Sequence, residues 1–386
     1  MLERTRLKSR ILIIGGPDVN ARIEFIVNSD QSFDFIVLGS NKKLKKQFAF
    51  NNIRYIDYYL PSNSNPVKMV YSILNIFFLV KKIKPHLVHT FDTLPGILGR
   101  LASIWAKTPT VIGTQTGLGK MYALDGSSKR IIKYFFKKIN KYVCSKSHMT
   151  VYQNSDDISR MKNLKIVNEE NSTLIVSSGI NIEKFSKETV EDHDKKKLSE
   201  DLGIKQNEII KTLISRLIKS KGIIEFCQAA KLIRKDVKNI KFLLIGDIKE
   251  NNSEYIKFSE LDPFKDDIIW LGHREDIKKI LSISDVFVLP TYYPEGVPRV
   301  LLEAASMGLP LIAAKNPGTN EIVIEEYNGF LIMPKNVEIL VEKISLLAKE
   351  KDLRKKFSEN SRKYVCENFD IKNIVSQYNK LYHKYL

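Results

Sequence analysis

Residues 289–314 read LPTYYPEGVPRVLLEAASMGLPLIAA, and the punctuation of this stretch decides the fold. An apolar run, 285–290, stops at a turn-rich loop holding Pro294, Gly296 and Pro298. Proline at the first helical position loses no hydrogen bond and arrives with its φ preset, so a helix is expected to start near Pro298. Val300, Leu301, Ala304 and Met307 then recur at helical spacing, and Gly308 followed by Pro310 ends the helix. Residues 311–314 are apolar again, which makes the unit strand, loop, helix, strand. Two carboxylates bracket the loop and first turns: Glu295 before the helix and Glu303 inside it, with seven residues between them. A helix N-terminus presents unpaired N–H groups and a partial positive charge, which suits a phosphate. Glu295, Gly296, Val297 and Pro298 are thus placed to hold a diphosphate and its attached group, and Glu303 to reach a hydroxyl further along. Arg299 lies four residues before Glu303, a spacing that an ordinary surface ion pair also explains.

Outward from this stretch, apolar runs alternate with helical patterns, as in parallel sheets covered by helices. Strands are expected over 11–14, 33–38, 53–56, 87–89, 110–112, 149–152 and 174–176, and helices over 66–82, 95–107, 127–141 and 155–163. Residues 187–207 turn polar and charged and read as a linker. A second set follows, with strands over 209–215, 242–245, 268–271, 286–289, 311–313 and 329–332 and helices over 222–234, 276–282, 298–307 and 337–349. The expected organisation is an α/β domain over 1–186, the linker, a second α/β domain over 208–369 and a terminal helix over 370–386, both domains being Rossmann-like.

A chain of 386 residues with 43% hydrophobic and 27% charged content is an ordinary globular protein of about two domains. Cys144, Cys227 and Cys366 are too scattered for a disulfide framework or a metal site, which points to a reducing compartment. The run 11–14 ends in a glycine pair and reads as a strand, not a secretion signal, and the most hydrophobic window, 69–80, is too short to span a bilayer. The net charge of +18 is uneven: residues 1–185 hold 28 Lys and Arg against 13 Asp and Glu. Nucleic acid or the anionic leaflet of a membrane would therefore meet the N-terminal half. Nucleic acid is disfavoured because no stacking motif or recognition-helix pattern accompanies the charge. The segment 127–141, SSKRIIKYFFKKINK, interleaves Ile131, Tyr134, Phe135 and Ile139 with six cations, including Lys133, Lys137 and Lys138. A basic amphipathic helix of this kind can lie on an anionic bilayer, although a domain helix with a wet basic face has the same pattern. The run KKLKK at 42–46 reads as solvated loop.

Residues 215–222, SRLIKSKG, directly follow an expected strand. Arg216 and Lys221 would be aimed at one spot by a strand-to-helix loop, and a guanidinium with an ammonium neutralises a diphosphate without a metal ion. Gly246 in IGD and His273 with Arg274 in LGHRED stand at strand ends, where α/β sheets bind ligands. Gly15 and Gly16 in IIGGP allow a close backbone approach to a diphosphate. The single D-x-D, Asp192-His193-Asp194, lies in the polar linker, so no metal is expected.

PEGVPRVLLEAASMGLPLIA resembles, nearly end to end, the donor-site motif of the glycosyltransferase family 4 enzymes, and Arg216 to Lys221 resembles that family's R-x4-K element. VHTFDTLPGILGRLAS (88–103), TGLGKMY (116–122), YQNSDD (152–157) and SSGINIEKF (177–185) resemble, in order, the branch that builds capsule, O-antigen and similar lipid-linked glycans. The resemblance implies a GT-B fold, two facing Rossmann-like domains with the active site in the cleft, and a last helix crossing back onto the first domain. It also implies a retaining enzyme using a nucleotide-sugar donor, UDP-linked and carrying a hexose or N-acetylhexosamine, with a polyprenyl-diphosphate-linked glycan as acceptor. No cofactor is implied, and the site of action is the inner face of the cytoplasmic membrane. Arg216 and Lys221 would stabilise the departing diphosphate, Glu295 would hold donor-sugar hydroxyls, Glu303 the ribose, and His273 and Arg274 would contact the base. A front-face route, in which the leaving phosphate helps deprotonate the acceptor, fits the lack of a placed nucleophile. One departure stands out: many family members carry histidine where Thr116 stands, and another at Phe91. Either the backbone at Thr116–Gly117 or another acceptor-side group takes that part. A UDP-sugar 2-epimerase of the same fold and a basic nucleic-acid-binding protein are the rival readings.

Overall fold

In a computed structural model, which describes residues 8–61, 65–118, 130–249, 252–293 and 296–386, the chain forms two compact units. The first takes the chain up to Gly179 together with Ile371–Leu386, and the second takes Ile180–Tyr293 and Val297–Asp370.

The first unit is built on seven parallel strands: β1 (Ser9–Ile14), β2 (Phe33–Gly39), β3 (Arg54–Asp57), β4 (Leu87–Phe91), β5 (Thr110–Gln115), β6 (Met149–Tyr152) and β7 (Ser172–Leu174). Their order is β3-β2-β1-β4-β5-β6-β7, so the winding reverses between β1 and β4. Strands buried on both faces read as unbroken apolar runs, which is why 11–14 is uniformly aliphatic. Ile11 and Ile13 pack on one side with Phe25, Tyr378 and Tyr382; Leu12 and Ile14 pack on the other with Ile73, Ile76, Leu98 and Ala102. Tyr378 comes from the last helix, Ile371–Tyr385, and meets the Phe25 ring edge-on with centroids 5.2 Å apart.

The second unit has six parallel strands: β8 (Ile209–Ile214), β9 (Ile240–Ile245), β10 (Ile269–Trp270), β11 (Val286–Leu289), β12 (Leu311–Ala314) and β13 (Gly329–Ile332). Their order is β10-β9-β8-β11-β12-β13, with its reversal between β8 and β11. Its core holds one misfit. Lys211 of β8 is fully buried, and among the described residues its ammonium finds no hydrogen-bond partner. Burial pulls that ammonium down to about 7, with the Asp285 carboxylate opposing.

Several expectations are corrected. Residues 187–207 are no linker: they hold a helix, Asp192–Asp201, and belong to the second unit, which already begins at Ile180. A single buried leucine, Leu198, and an ion pair from Asp194 to Lys279 (2.8 Å) on the helix Ile277–Ile283 seat it, too little apolar character to show in composition. The run 42–46 is not an open loop; it forms a 3-10 turn, Lys42–Leu44, and begins a helix, Lys45–Phe50, anchored by buried Phe48. The basic segment 127–141 forms a helix over Arg130–Lys146, and residues 127–129 lie outside the described residues. A helix over Lys351–Asn368, not anticipated, precedes the last one.

Candidate active site

At the carboxyl ends of β8 and β11, two loops are locked together. Lys221 closes a 3-10 turn, Lys219–Lys221, and the next residue, Gly222, has φ +74°. A Cβ on Gly222 would lie 2.2 Å from the Pro290 carbonyl oxygen, so only glycine lets this turn press against the end of β11. The Tyr292 N–H donates to the Ser220 carbonyl (2.9 Å), and the Thr291 hydroxyl donates to the same oxygen (3.2 Å). The Asn316 amide, in the loop after β12, donates to the Thr291 carbonyl (2.8 Å). These bonds fix the Tyr293 ring with the Arg216 guanidinium 5.9 Å and the Lys221 ammonium 5.5 Å from its centroid. Arg216 is exposed and Lys221 is buried, and both cations share one aromatic ring. Sequence reasoning paired the two cations but missed Tyr293 and Asn316, whose roles depend on the ends of three strands meeting.

Gly246 follows β9, and a Cβ there would stand 2.0 Å from the Ser215 carbonyl oxygen; its bareness lets the two strand ends pack. Its carbonyl accepts from the Trp270 indole (2.9 Å). His273 is exposed. Arg274 makes a two-point pair with Asp276, Nε to Oδ1 at 2.8 Å and Nη2 to Oδ2 at 2.6 Å, so its guanidinium fork is already occupied within its own loop. The mutual hydrogen bond raises the Arg274 group and lowers the Asp276 carboxyl. The motif helix runs Arg299–Ser306 with Pro298 as its cap residue. Gly296 and Pro298 are buried, Val297 is half-buried, and Glu295 lies outside the described residues. Arg299 Nε meets Glu303 Oε1 at 3.0 Å, and the Glu303 side chain is only 12% exposed. Both line a cavity of about 420 Å³ with Lys184, Phe185, Glu275 and Asp276. Asp192 and Asp194 stand in the first turn of their helix, paired with Lys195 (2.9 Å) and Lys279 (2.8 Å).

The first unit has its own edge. Gly15 packs under Val19, where a Cβ would come within 2.6 Å of Cγ2, and its carbonyl accepts from the Tyr58 hydroxyl (3.0 Å). The Thr116 hydroxyl donates to Asp92 Oδ1 (2.9 Å), and the Thr93 hydroxyl to the Gly117 carbonyl (2.9 Å). The nearest imidazole in sequence, His89, is fully buried between the Tyr382 hydroxyl (2.6 Å) and the Thr114 hydroxyl (2.7 Å). Burial, then the Arg22 and Arg100 charges, hold it neutral, so it does not stand in for the histidines that Thr116 and Phe91 replace. Over the Phe91 ring lies the Arg22 guanidinium, 4.4 Å from its centroid.

On the outside of this unit, the helix Arg130–Lys146 exposes Tyr134, Phe135, Ile139 and Tyr142, and Lys138 lies over the Tyr134 ring at 5.5 Å. Phe136 turns inward against a core cluster. Lys137 is exposed, and the side chain of Lys133 lies outside the described residues. A second stripe escaped the sequence reading: the helix Pro66–Ile83 exposes Val67, Val70, Tyr71, Leu74 and Phe78. The period of three and four is present in the sequence, but Ile73, Ile76 and Val80 on the buried side make the helix apolar all round and hide which face is out. No helix among the described residues is long and apolar enough to cross a membrane.

Two units, each a doubly wound parallel sheet, are the architecture of the GT-B fold. A crystal structure of Anabaena HepE in complex with UDP and glucose has this fold, with a TM-score of 0.81 over 98% of this chain and 100% of that one at 16% identity. Residues 194–364 match the family model of glycosyl transferases group 1, and residues 24–155 match that of glycosyl transferase 4-like proteins. An Escherichia coli UDP-Gal:alpha-D-GlcNAc-diphosphoundecaprenol alpha-1,3-galactosyltransferase is 28% identical over 93% of this chain and 91% of its own length. A Campylobacter jejuni N,N'-diacetylbacillosaminyl-diphospho-undecaprenol alpha-1,3-N-acetylgalactosaminyltransferase is 30% identical over 80% of each chain. The chain belongs to this glycosyltransferase family, in the branch whose relatives act on lipid-linked glycans.

Proposed function

We propose that the protein is a retaining, metal-independent glycosyltransferase that moves a hexose or N-acetylhexosamine from a UDP-linked donor to a glycan carried on a polyprenyl diphosphate. Its place is the inner face of the cytoplasmic membrane, in the synthesis of a surface polysaccharide such as O-antigen or capsule. The observation that carries the reading is the convergence of Arg216 and Lys221 on the Tyr293 ring at a strand end. The diphosphate gains charge as the sugar leaves, and preorganised cations oppose that charge in the transition state. A guanidinium fork and an ammonium supply what a metal ion otherwise would. The diphosphoundecaprenol-linked substrates in the names of both relatives support the acceptor class, and the UDP bound by the Anabaena neighbour supports the nucleotide. The pairing of Asp192 and Asp194 with lysines supports the reading of D-x-D as part of a helix rather than a metal site. Two exposed apolar stripes on the unit rich in lysine support a membrane face.

Isothermal titration with UDP-, GDP- and dTDP-sugars tests the donor. A UDP-sugar binds and the others do not, and binding survives millimolar EDTA. Binding that vanishes with EDTA and returns with Mg²⁺ or Mn²⁺ contradicts the metal-free reading, and selective binding of another nucleotide replaces UDP.

A further inference from the structure

The geometry points to Asp92 as the acceptor-side residue that takes the place of the absent histidines, accepting a hydrogen bond from a sugar hydroxyl of the acceptor glycan. The inference rests on the glycosyl-transfer reading and adds a residue to it. Open α/β sheets bind ligands beyond the carboxyl ends of the strands, at the point where the winding reverses. In the first unit that point lies between β1 and β4. The residues just past these two strands are Gly15–Gly16 and Asp92. The Asp92 backbone holds φ +69°, a left-handed conformation that Asp tolerates better than most side chains. The cap residue of the helix that follows is Thr93, whose side chain makes no capping hydrogen bond. The Asp92 carboxylate turns to the sheet edge, where Thr116 Oγ1 donates to Oδ1 at 2.9 Å. Oδ2 faces Gly16, and a Cβ built on that glycine would stand 3.7 Å away. Asp92 is half-exposed, and no ion pair reaches it among the described residues. Its charge is felt at the Tyr58 phenol, which burial first and Asp92 second raise well above the usual range. Every group here, a half-exposed carboxylate, a threonine hydroxyl and bare glycine backbone, suits hydroxyls of a polyol rather than a phosphate. Hydrogen bonds from hydroxyls to a carboxylate are short and strong.

The probe is a soluble short-chain acceptor, N-acetylglucosaminyl-diphospho-farnesol, titrated into the full chain alongside UDP. Asp92→Ala should weaken acceptor binding by about tenfold to a hundredfold, with UDP affinity unchanged. Asp92→Asn keeps the size and the tolerance of the left-handed backbone and should still lose most of the affinity, because the charge is gone. Thr116→Val keeps the carboxylate and should lose less. If Asp92→Asn binds the acceptor as the parent does, or the parent does not bind it at all, the assignment is overturned. It is also overturned if the Asp92 variants lose acceptor, UDP and thermal stability together, since Asp92 is then only a loop anchor. A parent that binds no UDP instead fails the function reading, and that result is visible without any variant.

Discussion

The two units share one architecture and wear opposite surfaces. In the second, charges meet counter-charges: Lys219 with Glu260, Lys241 with Glu208, Arg234 with Asp267 and Lys279 with Asp194. Only Leu232, Phe258 and Met333 of its large apolar side chains are exposed among the described residues. The first exposes aromatic and aliphatic stripes along Pro66–Ile83 and Arg130–Lys146, and residues 1–185 carry a net +15. Folding demands neither arrangement, since the strands of each sheet are already buried on both faces. The difference is therefore about what each surface meets. One unit concentrates its unusual chemistry in a few cations around Tyr293; the other spreads it over a face.

The sharpest way to break that contrast is at the apolar stripe. Replacing Leu74 and Phe78 with Ser should weaken binding to phosphatidylglycerol-containing vesicles by about 3 kcal/mol or more, at low and high salt alike, since each side chain is worth roughly 1.5–3 kcal/mol on burial. Co-sedimentation equal to the parent's would show the stripe to be a bystander. Lysines differ in kind. Lys133, Lys137 and Lys138 changed together to Gln should cost roughly 3 kcal/mol at low salt, at about 1 kcal/mol each, and much less at high salt. A triple variant that sediments like the parent at both salts leaves the Arg130–Lys146 helix with only a wet basic face.

In the second unit, Arg216→Ala or Lys221→Ala should each lower turnover about tenfold to a hundredfold, from roughly 1.5–3 kcal/mol of charge-assisted contact. Unchanged turnover in both removes the diphosphate assignment. The smallest effect concerns Lys211. Its folded ammonium titrates near 7 against an ordinary value of 10.5. Between those values the unfolded chain holds a proton that the folded chain has released, so stability should rise with pH across that window and be lowest at and below 7. Lys211→Met should flatten that rise and stabilise the neutral-pH protein by roughly 1–3 kcal/mol. Urea unfolding at pH 6, 8 and 9.5 reads both, and an equal slope in parent and variant contradicts the burial account.

The fold was legible because parallel strands buried on both faces must be apolar runs, and helices such as Arg299–Ser306 carry their start in Pro298 and their stop in Gly308 and Pro310. The pairing of Arg216 with Lys221 was legible because the two share one short loop. Tyr293 was not, because its place beside them is set by the bonds that Thr291 and Tyr292 donate to Ser220 and that Asn316 donates to the Tyr293 carbonyl, between residues that only the sheet brings near. Asp92 was hidden for the same reason: strand order makes its position special, and no local pattern encodes strand order. The helix Asp192–Asp201 was misread because its anchoring needs one leucine and one ion pair, too little to alter a polar composition. Arg274 looked available in sequence, and the structure commits its fork to Asp276.

Glycosyl transfer itself is tested most directly with a UDP-sugar radiolabelled in the sugar, incubated with the protein and phosphatidylglycerol vesicles bearing N-acetylglucosaminyl-diphospho-undecaprenol. Label should move into the lipid extract with equimolar release of UDP, faster than with Arg216→Ala. Label that stays water-soluble, whether as the unchanged donor or as its epimer, would contradict a glycosyltransferase acting on a lipid-linked acceptor.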